Sequence, residues 1–245
     1  MRVTRLTFFL DLAVDDHAAA TAFWQAATGY VLSASRGEHD EFASLLPSAG
    51  ADHLRLQRLA EGPSRTHLDV HVDDLAQAEA QAVSGGATVL SSGGHVSLLS
   101  PGGYPFCLVT APAAEPSPPT TWPDGHRSRA EQLCLDIGPS AYEAECAFWA
   151  ALTSWPTRTA GPEFTRLRVP EELGTRLLLQ RLEQDEGAVR GHLDVATDDR
   201  SAEVARLQAL GATTVRENDE WTVLRPPAGP VLCVTDRDPV TGLSG

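Results

Sequence analysis

The chain has 245 residues, 42% of them hydrophobic, with a formal net charge of −14 at pH 7 and arginine as its only basic residue besides histidine. That is enough apolar material for packed cores in two domains of ordinary size. The charge excludes the clustered basic surface that nucleic-acid binding requires and disfavours an anionic membrane.

The N-terminal run Met1-Arg2-Val3-Thr4-Arg5 leads into a strand pattern with no signal-peptide core. A strand is expected over Leu6–Val14, then a helix over Ala18–Thr28, capped by Asp15-Asp16 and stopped by Gly29. Strands follow at Tyr30–Ser33, Glu41–Leu46 and His53–Leu59. A second unit then runs in the same order. Its strand is Thr66–Val72, its helix Leu75–Ser84 is capped by Asp73-Asp74, and its later strands are Thr88–Ser91, His95–Leu99 and Phe106–Thr110. Ala111–Ser128 carries five prolines (Pro112, Pro116, Pro118, Pro119, Pro123), which favours an extended, semi-rigid linker.

The order then repeats. Strands at Glu131–Ile137, Trp155–Thr159, Phe164–Val169 and Arg176–Leu182 surround a helix at Tyr142–Leu152. The last unit has a strand at Gly191–Thr197, a helix at Ser201–Leu210 and strands at Thr213–Arg216, Trp221–Leu224 and Val231–Thr235, before a polar, loose tail. Segments 125 positions apart match: Thr66-His67-Leu68-Asp69-Val70 with Gly191-His192-Leu193-Asp194-Val195, Ala22-Phe23-Trp24 with Ala147-Phe148-Trp149, and Gly86-Ala87 with Gly211-Ala212. A spacing held across separate segments means duplication. No apolar run approaches the ~20 residues of a membrane span. The four cysteines (Cys107, Cys134, Cys146, Cys233) fit neither a disulfide scaffold nor a CxxC zinc pattern, so a reduced, cytoplasmic chain is expected.

Four strand-helix-three-strand units, the Phe-Trp pairs, the two His-Leu-Asp strands and Pro101-Gly102-Gly103-Tyr104-Pro105-Phe106 together resemble the vicinal oxygen chelate superfamily. The likeness is to its glyoxalase-like branch, common in actinobacteria. Other branches include extradiol dioxygenases and the bleomycin and fosfomycin resistance proteins. The resemblance implies an α+β fold of two tandem glyoxalase-like domains. Each would be two βαβββ units forming a curved, cup-like sheet with helices outside. The expected bounds are 1–112 and 129–237, with a linker at 113–128 and a tail at 238–245.

In metal-dependent members the first, fourth, fifth and last strands supply the ligands. Those positions fall on Phe9, Gln57, His67 and Cys107 in repeat one, and on Cys134, Gln180, His192 and Leu232 in repeat two. Neither set holds the carboxylates that a hard ion prefers. The expectation is therefore no cofactor, with a divalent metal as the alternative. Units pairing across repeats would gather His67, Cys107, Cys134 and Gln180 as a metal set.

Strand alternation puts His67, Asp69 and His71 on one face, and His192 with Asp194 likewise. Such pairs could act as acid and base or simply satisfy one another. Asp11 joins the polar face, and Trp155 and Trp221 could stack on a planar ligand. Arginines on that face, Arg55 among them, could hold an anion. The leading expectation is a small-molecule-binding protein of the sequestering, resistance type, taking an apolar or aromatic compound. The alternatives are a metal-independent lyase, isomerase or cyclase using His67/Asp69 or His192/Asp194, and a metal-dependent glyoxalase or dioxygenase. The partners expected are a small molecule, no nucleic acid and no membrane, with the chain a monomer or homodimer.

Overall fold

The computed structural model describes residues 1–243. The first repeat runs β1 (Val3–Leu12), α1 (Val14–Thr28), β2 (Val31–Leu32), β3 (Phe42–Leu46), β4 (Leu54–Arg58), β5 (Arg65–Val72), α2 (Leu75–Ser84), β6 (Thr88–Ser92), β7 (Val96–Leu99) and β8 (Pro105–Val109). After β9 (Thr120–Thr121), the second runs β10 (Arg127–Ile137), α3 (Tyr142–Thr153), β11 (Thr157–Thr159), β12 (Phe164–Leu167) and β13 (Arg176–Arg181). It closes with β14 (Arg190–Thr197), α4 (Arg200–Ala209), β15 (Thr213–Glu217), β16 (Trp221–Arg225) and β17 (Leu232–Thr235).

Each repeat makes one curved, mixed sheet. The strand orders are β2-β3-β4-β1-β5-β8-β7-β6 and β11-β12-β13-β10-β14-β17-β16-β15, with β9 added beside β10. The central pairs β5–β8 and β14–β17 are parallel, as the helical crossover between them requires. Both units of a repeat therefore share a sheet.

Alternation sorts the side chains. Leu6, Phe8, Leu10 and Leu12 of β1 and Leu68, Val70 and Val72 of β5 are at most 1% exposed. Their odd-numbered neighbours, Phe9 and Asp11, and His67, Asp69 and His71, take the opposite face. Helices α2 and α4 start where expected: Asp74 accepts from Gln77 N and Asp199 from Ala202 N, both at 2.9 Å. Helix α1 differs. It begins at Val14 after Ala13 with no side-chain cap, which puts Asp15 and Asp16 inside the first turn, where Asp16 accepts from Ser64 Oγ at 2.5 Å. A 3-10 turn at Glu171–Leu173 has no signature in the sequence pattern.

The chain gathers into two compact bodies, residues 1–8, 66–114 and 133–191 in one and 9–65, 115–132 and 192–243 in the other. The first is centred on Trp149, whose ring lies 5.2 Å from Phe106 and 6.4 Å from Tyr104. A fully buried carboxylate, Glu145, is held there by Trp149 Nε1 at 2.8 Å and Gly102 N at 2.5 Å. Two donors offset the cost of burying that charge. A Cβ on residue 102 would lie 2.9 Å from Glu145 Oε1 and 2.6 Å from Val189, so only glycine fits.

The second body solves the same problem with opposite charges. Glu203, also fully buried, meets His126 Nε2 at 2.9 Å and the Arg206 guanidinium at 2.8 Å, while His126 Nδ1 meets Asp124 at 2.6 Å. Arg206 stacks 3.4 Å over the Trp122 ring and donates to the last-turn carbonyls of Ala26 and Ala27. Further along the same segment, Ser117 Oγ lies 3.0 Å from His53 Nδ1. The proline-rich stretch is thus anchored at several points, where a semi-rigid spacer was expected. The tail makes a local turn, in which Asp238 Oδ1 accepts from Val240 N and Thr241 N. Ser244 and Gly245, part of the tail expected to be loose, lie outside the described residues.

Burial alone would lower the His126 pKa, but Glu203 and Asp124 overcome it and raise it above 6.5. Its contribution to stability is then complete below 6.5 and lost as pH rises through the higher folded value. Urea denaturation from neutral to mildly alkaline pH should show wild-type stability falling, with a flatter profile for His126→Gln. Identical slopes would contradict this.

Candidate functional site

The first body holds a polar cluster on β5 and β8. Parallel pairing sets Asp69 opposite Cys107. His67 Nε2 lies 3.7 Å from Asp69 Oδ1, with both side chains 10% exposed. The donor atoms of His67, Asp69 and Cys107 all fall within 4.8 Å of one another. The Cys107 thiol also lies 3.5 Å from Ser97 Oγ, and His71 Nε2 lies 2.9 Å from Thr7 Oγ1.

The second body repeats the cluster with one change from the sequence expectation. Asp194 stands opposite Cys233, and Leu232 pairs with Leu193 on the fully buried face. The β15–β16 hairpin explains the shift: it joins Glu217 to Thr222, one residue more than the Ser92 to Val96 turn of β6–β7. Counting from the first proline of Pro226-Pro227 therefore misses by one. His192, Asp194 and Cys233 form a second trio within 4.8 Å, with His192 Nε2 3.4 Å from Asp194 Oδ1.

Asp194 is also bound by residues that the sequence reading left out. Gln132 Nε2 donates to its Oδ2 at 2.5 Å and Arg237 Nη2 at 3.2 Å. Arg237 reaches the fully buried Glu131 at 2.9 Å and Gln132 Oε1 at 2.6 Å. Burial would raise the Asp194 pKa; His192, Arg237 and Gln132 more than offset it, so it is lowered. The signal for this network was two consecutive polar residues, Glu131-Gln132, between Ala130 and Leu133 in a strand whose residues there are buried on both faces. Its arginine, Arg237, lies after the last expected strand, at the final position of the expected second domain.

The other candidates separate into smaller groups. Cys134 Sγ approaches Gln180 Oε1 at 3.8 Å on β10 and β13, and both lie in the same compact body as His67 and Cys107. Phe9 packs edge-on against Phe42 with centroids 6.4 Å apart, and the Arg55 guanidinium sits 5.9 Å over its ring. Gln57 is the register partner of Phe42. Asp11 receives Arg65 Nε at 3.2 Å. Trp221 begins β16, half-buried. Trp155 precedes β11 instead of lying in it and is 7% exposed, a core position.

A family model for the glyoxalase-like domain matches residues 7–109 and again 132–235. The chain belongs to the glyoxalase-like domain family. Several solved structures share this tandem fold. The Mn(II)-bound glyoxalase from Novosphingobium aromaticivorans is 18% identical with a TM-score of 0.67, over 96% of this chain and 82% of its own. A mutant of 4-hydroxymandelate synthase from Streptomyces coelicolor is 16% identical with a TM-score of 0.67, over 100% and 95%. An extradiol ring-cleaving dioxygenase from B. fuscum is 12% identical with a TM-score of 0.67, over 99% and 74%. No curated relative matches the sequence. The two glyoxalase-like repeats thus each carry a His-Asp-Cys donor group, so the expectation of no cofactor gives way to a chain equipped with candidate metal ligands. Among the described residues no helix is long and apolar enough to cross a membrane.

Removing Arg237 leaves Glu131 and Asp194 buried without that cation. Breaking such a group costs about 3–5 kcal/mol, so Arg237→Ala should lose that much in urea denaturation. Because the folded pKa of Asp194 is depressed below 3.8, its stabilisation is present above 3.8 and lost as pH falls through the folded value. Asp194→Asn should flatten the acid side of the stability profile. An unchanged acid limb would contradict the network.

Proposed function

We propose that this glyoxalase-like protein binds a small apolar or aromatic molecule on the concave face of its repeat-one sheet, in the manner of a sequestering protein. The domains would span 1–112 and 129–237, joined by 113–128 and followed by 238–245, in a cytoplasmic setting that keeps the four thiols reduced. The observation that carries the reading is the aromatic pair Phe9 and Phe42 with Arg55 over the Phe9 ring. Phe9 and Gln57 stand at two of the strand positions that carry ligands in metal-dependent members. A ring and a neutral amide there suit an organic ligand and not a hard cation.

One structural neighbour is described as Mn(II)-bound. Manganese prefers carboxylate, carbonyl and water oxygens, and Phe9, Gln57, His67 and Cys107 do not provide that set. The trios His67/Asp69/Cys107 and His192/Asp194/Cys233 favour a second reading. One imidazole, one carboxylate and one thiolate are three ligand types that zinc accepts, and a bound zinc ion would supply Lewis acidity. Without metal, the same His-Asp pairs are placed to hold and move a proton, as a lyase or isomerase needs.

A thermal-shift screen of neutral aromatic compounds and Zn²⁺, on wild type, His67→Ala and His192→Ala, separates the readings. A bound compound at about a hundred times its Kd adds about 2.7 kcal/mol of stability. The leading reading expects such stabilisation in all three proteins, with the compound recovered unchanged. Stoichiometric zinc lost in one variant, or turnover lost in one variant, supports the second reading instead. No aromatic compound stabilising the wild type would end the first.

A further inference from the structure

We infer that the ligand of the repeat-one sheet carries an anionic group, a carboxylate or phosphate, gripped by Arg36 and Arg55 beside the aromatic pair Phe9 and Phe42. The inference rests on the small-molecule reading above and adds the chemical class.

The geometry lies on β1, β3 and β4. Antiparallel register sets Ser44 opposite Arg55 and Phe42 opposite Gln57, so these four side chains share a face. Phe9 joins that face through its contacts with Phe42 and Arg55. Arg36 enters from the bridge it makes with Phe42, and its Nη2 donates to Ser44 Oγ at 3.0 Å. Ser44 Oγ in turn donates to Asp52 Oδ2 at 2.9 Å. Arg55 meets the same oxygen twice, from Nε at 3.1 Å and Nη2 at 3.0 Å.

Arg55 thus meets Asp52 directly, and Arg36 reaches it through Ser44. Burial and then the charge of Arg55 lower the pKa of Arg36, with Asp52 opposing them. The Arg65–Asp11 pair between β5 and β1 is balanced, so Arg36 and Arg55 against Asp52 leave one positive charge in excess here. It is an excess positive spot on a chain of net charge −14. An aromatic acid meets both halves of it: the ring stacks or packs edge-on with the phenylalanines, and the anion completes the guanidinium pair through charge-assisted hydrogen bonds. A neutral aromatic compound would leave the two cations with Asp52 alone.

Isothermal calorimetry on the full chain tests this with phenylacetate, phenyl phosphate, phenylacetamide and acetate as probes. Hydrogen bonds to charged groups predict phenylacetate or phenyl phosphate binding about tenfold tighter than phenylacetamide, the tighter of the two anions identifying the group. Arg36→Met, at an exposed position, should erase that preference for the anion over the amide. Arg55→Lys, which keeps the charge and loses the fork, should weaken it. Equal binding of anion and amide in wild type would overturn the inference and leave the small-molecule reading standing. Acetate binding as tightly as phenylacetate would also overturn it, since the ring would then contribute nothing. If none of the aromatic probes binds, the small-molecule reading fails with it.

Discussion

The two-residue period of a β-strand is the constraint on which this structure depends. In Thr66–Val72 it drives Leu68, Val70 and Val72 into the core and forces His67, Asp69 and His71 to the opposite face. The same rule in Gly191–Thr197 exposes His192 and Asp194 to one another. Parallel pairing with the last strand then brings a cysteine opposite each aspartate. The chemistry on offer follows from the packing requirement: a strand that must bury alternate aliphatic residues carries its polar residues as a row.

Burial of charge is the second theme, and duplication did not copy its solution. One body holds Glu145 with an indole and a backbone amide; the other holds Glu203 with an imidazole and a guanidinium. At the His-Asp strand of repeat two, Arg237, Gln132 and Glu131 surround Asp194. Such groups specify which segments may lie together, because an unmatched partner would be left in a low-dielectric interior. They give contacts to the proline-rich stretch through His126 and Trp122, and to the residue that follows β17 closely, Arg237.

The fold was legible because periodicity and duplication are properties of short segments. The helices after Asp74 and Asp199 began at the expected caps, and the two His-Leu-Asp strands became the centres of their sheets. What could not be read was long-range or depended on a single residue. The pairing of Asp194 with Cys233 turned on one extra residue in a hairpin. The role of Arg237 required contact with Glu131, which is 106 positions away in the chain; sequence proximity gives no hint of it. Arg36 lies between strands, and its bridge to Phe42 and bond to Ser44 follow no motif. Trp155, expected in a strand, is core because α3 extends to Thr153 and leaves it at the turn.

Membership of the glyoxalase-like family fixes a scaffold shared by unrelated chemistries, so function must come from the side chains that this chain places on it. In the proposed reading, phenylalanine and glutamine at the family's ligand positions, with guanidinium groups alongside, would receive an organic molecule. A crystal structure of the protein with the aromatic probe that binds most tightly tests that claim most directly. The account predicts the ring against Phe9 and Phe42, on the polar face of β1, β3 and β4. A molecule bound only among the helices, or only on the repeat-two sheet, would contradict it.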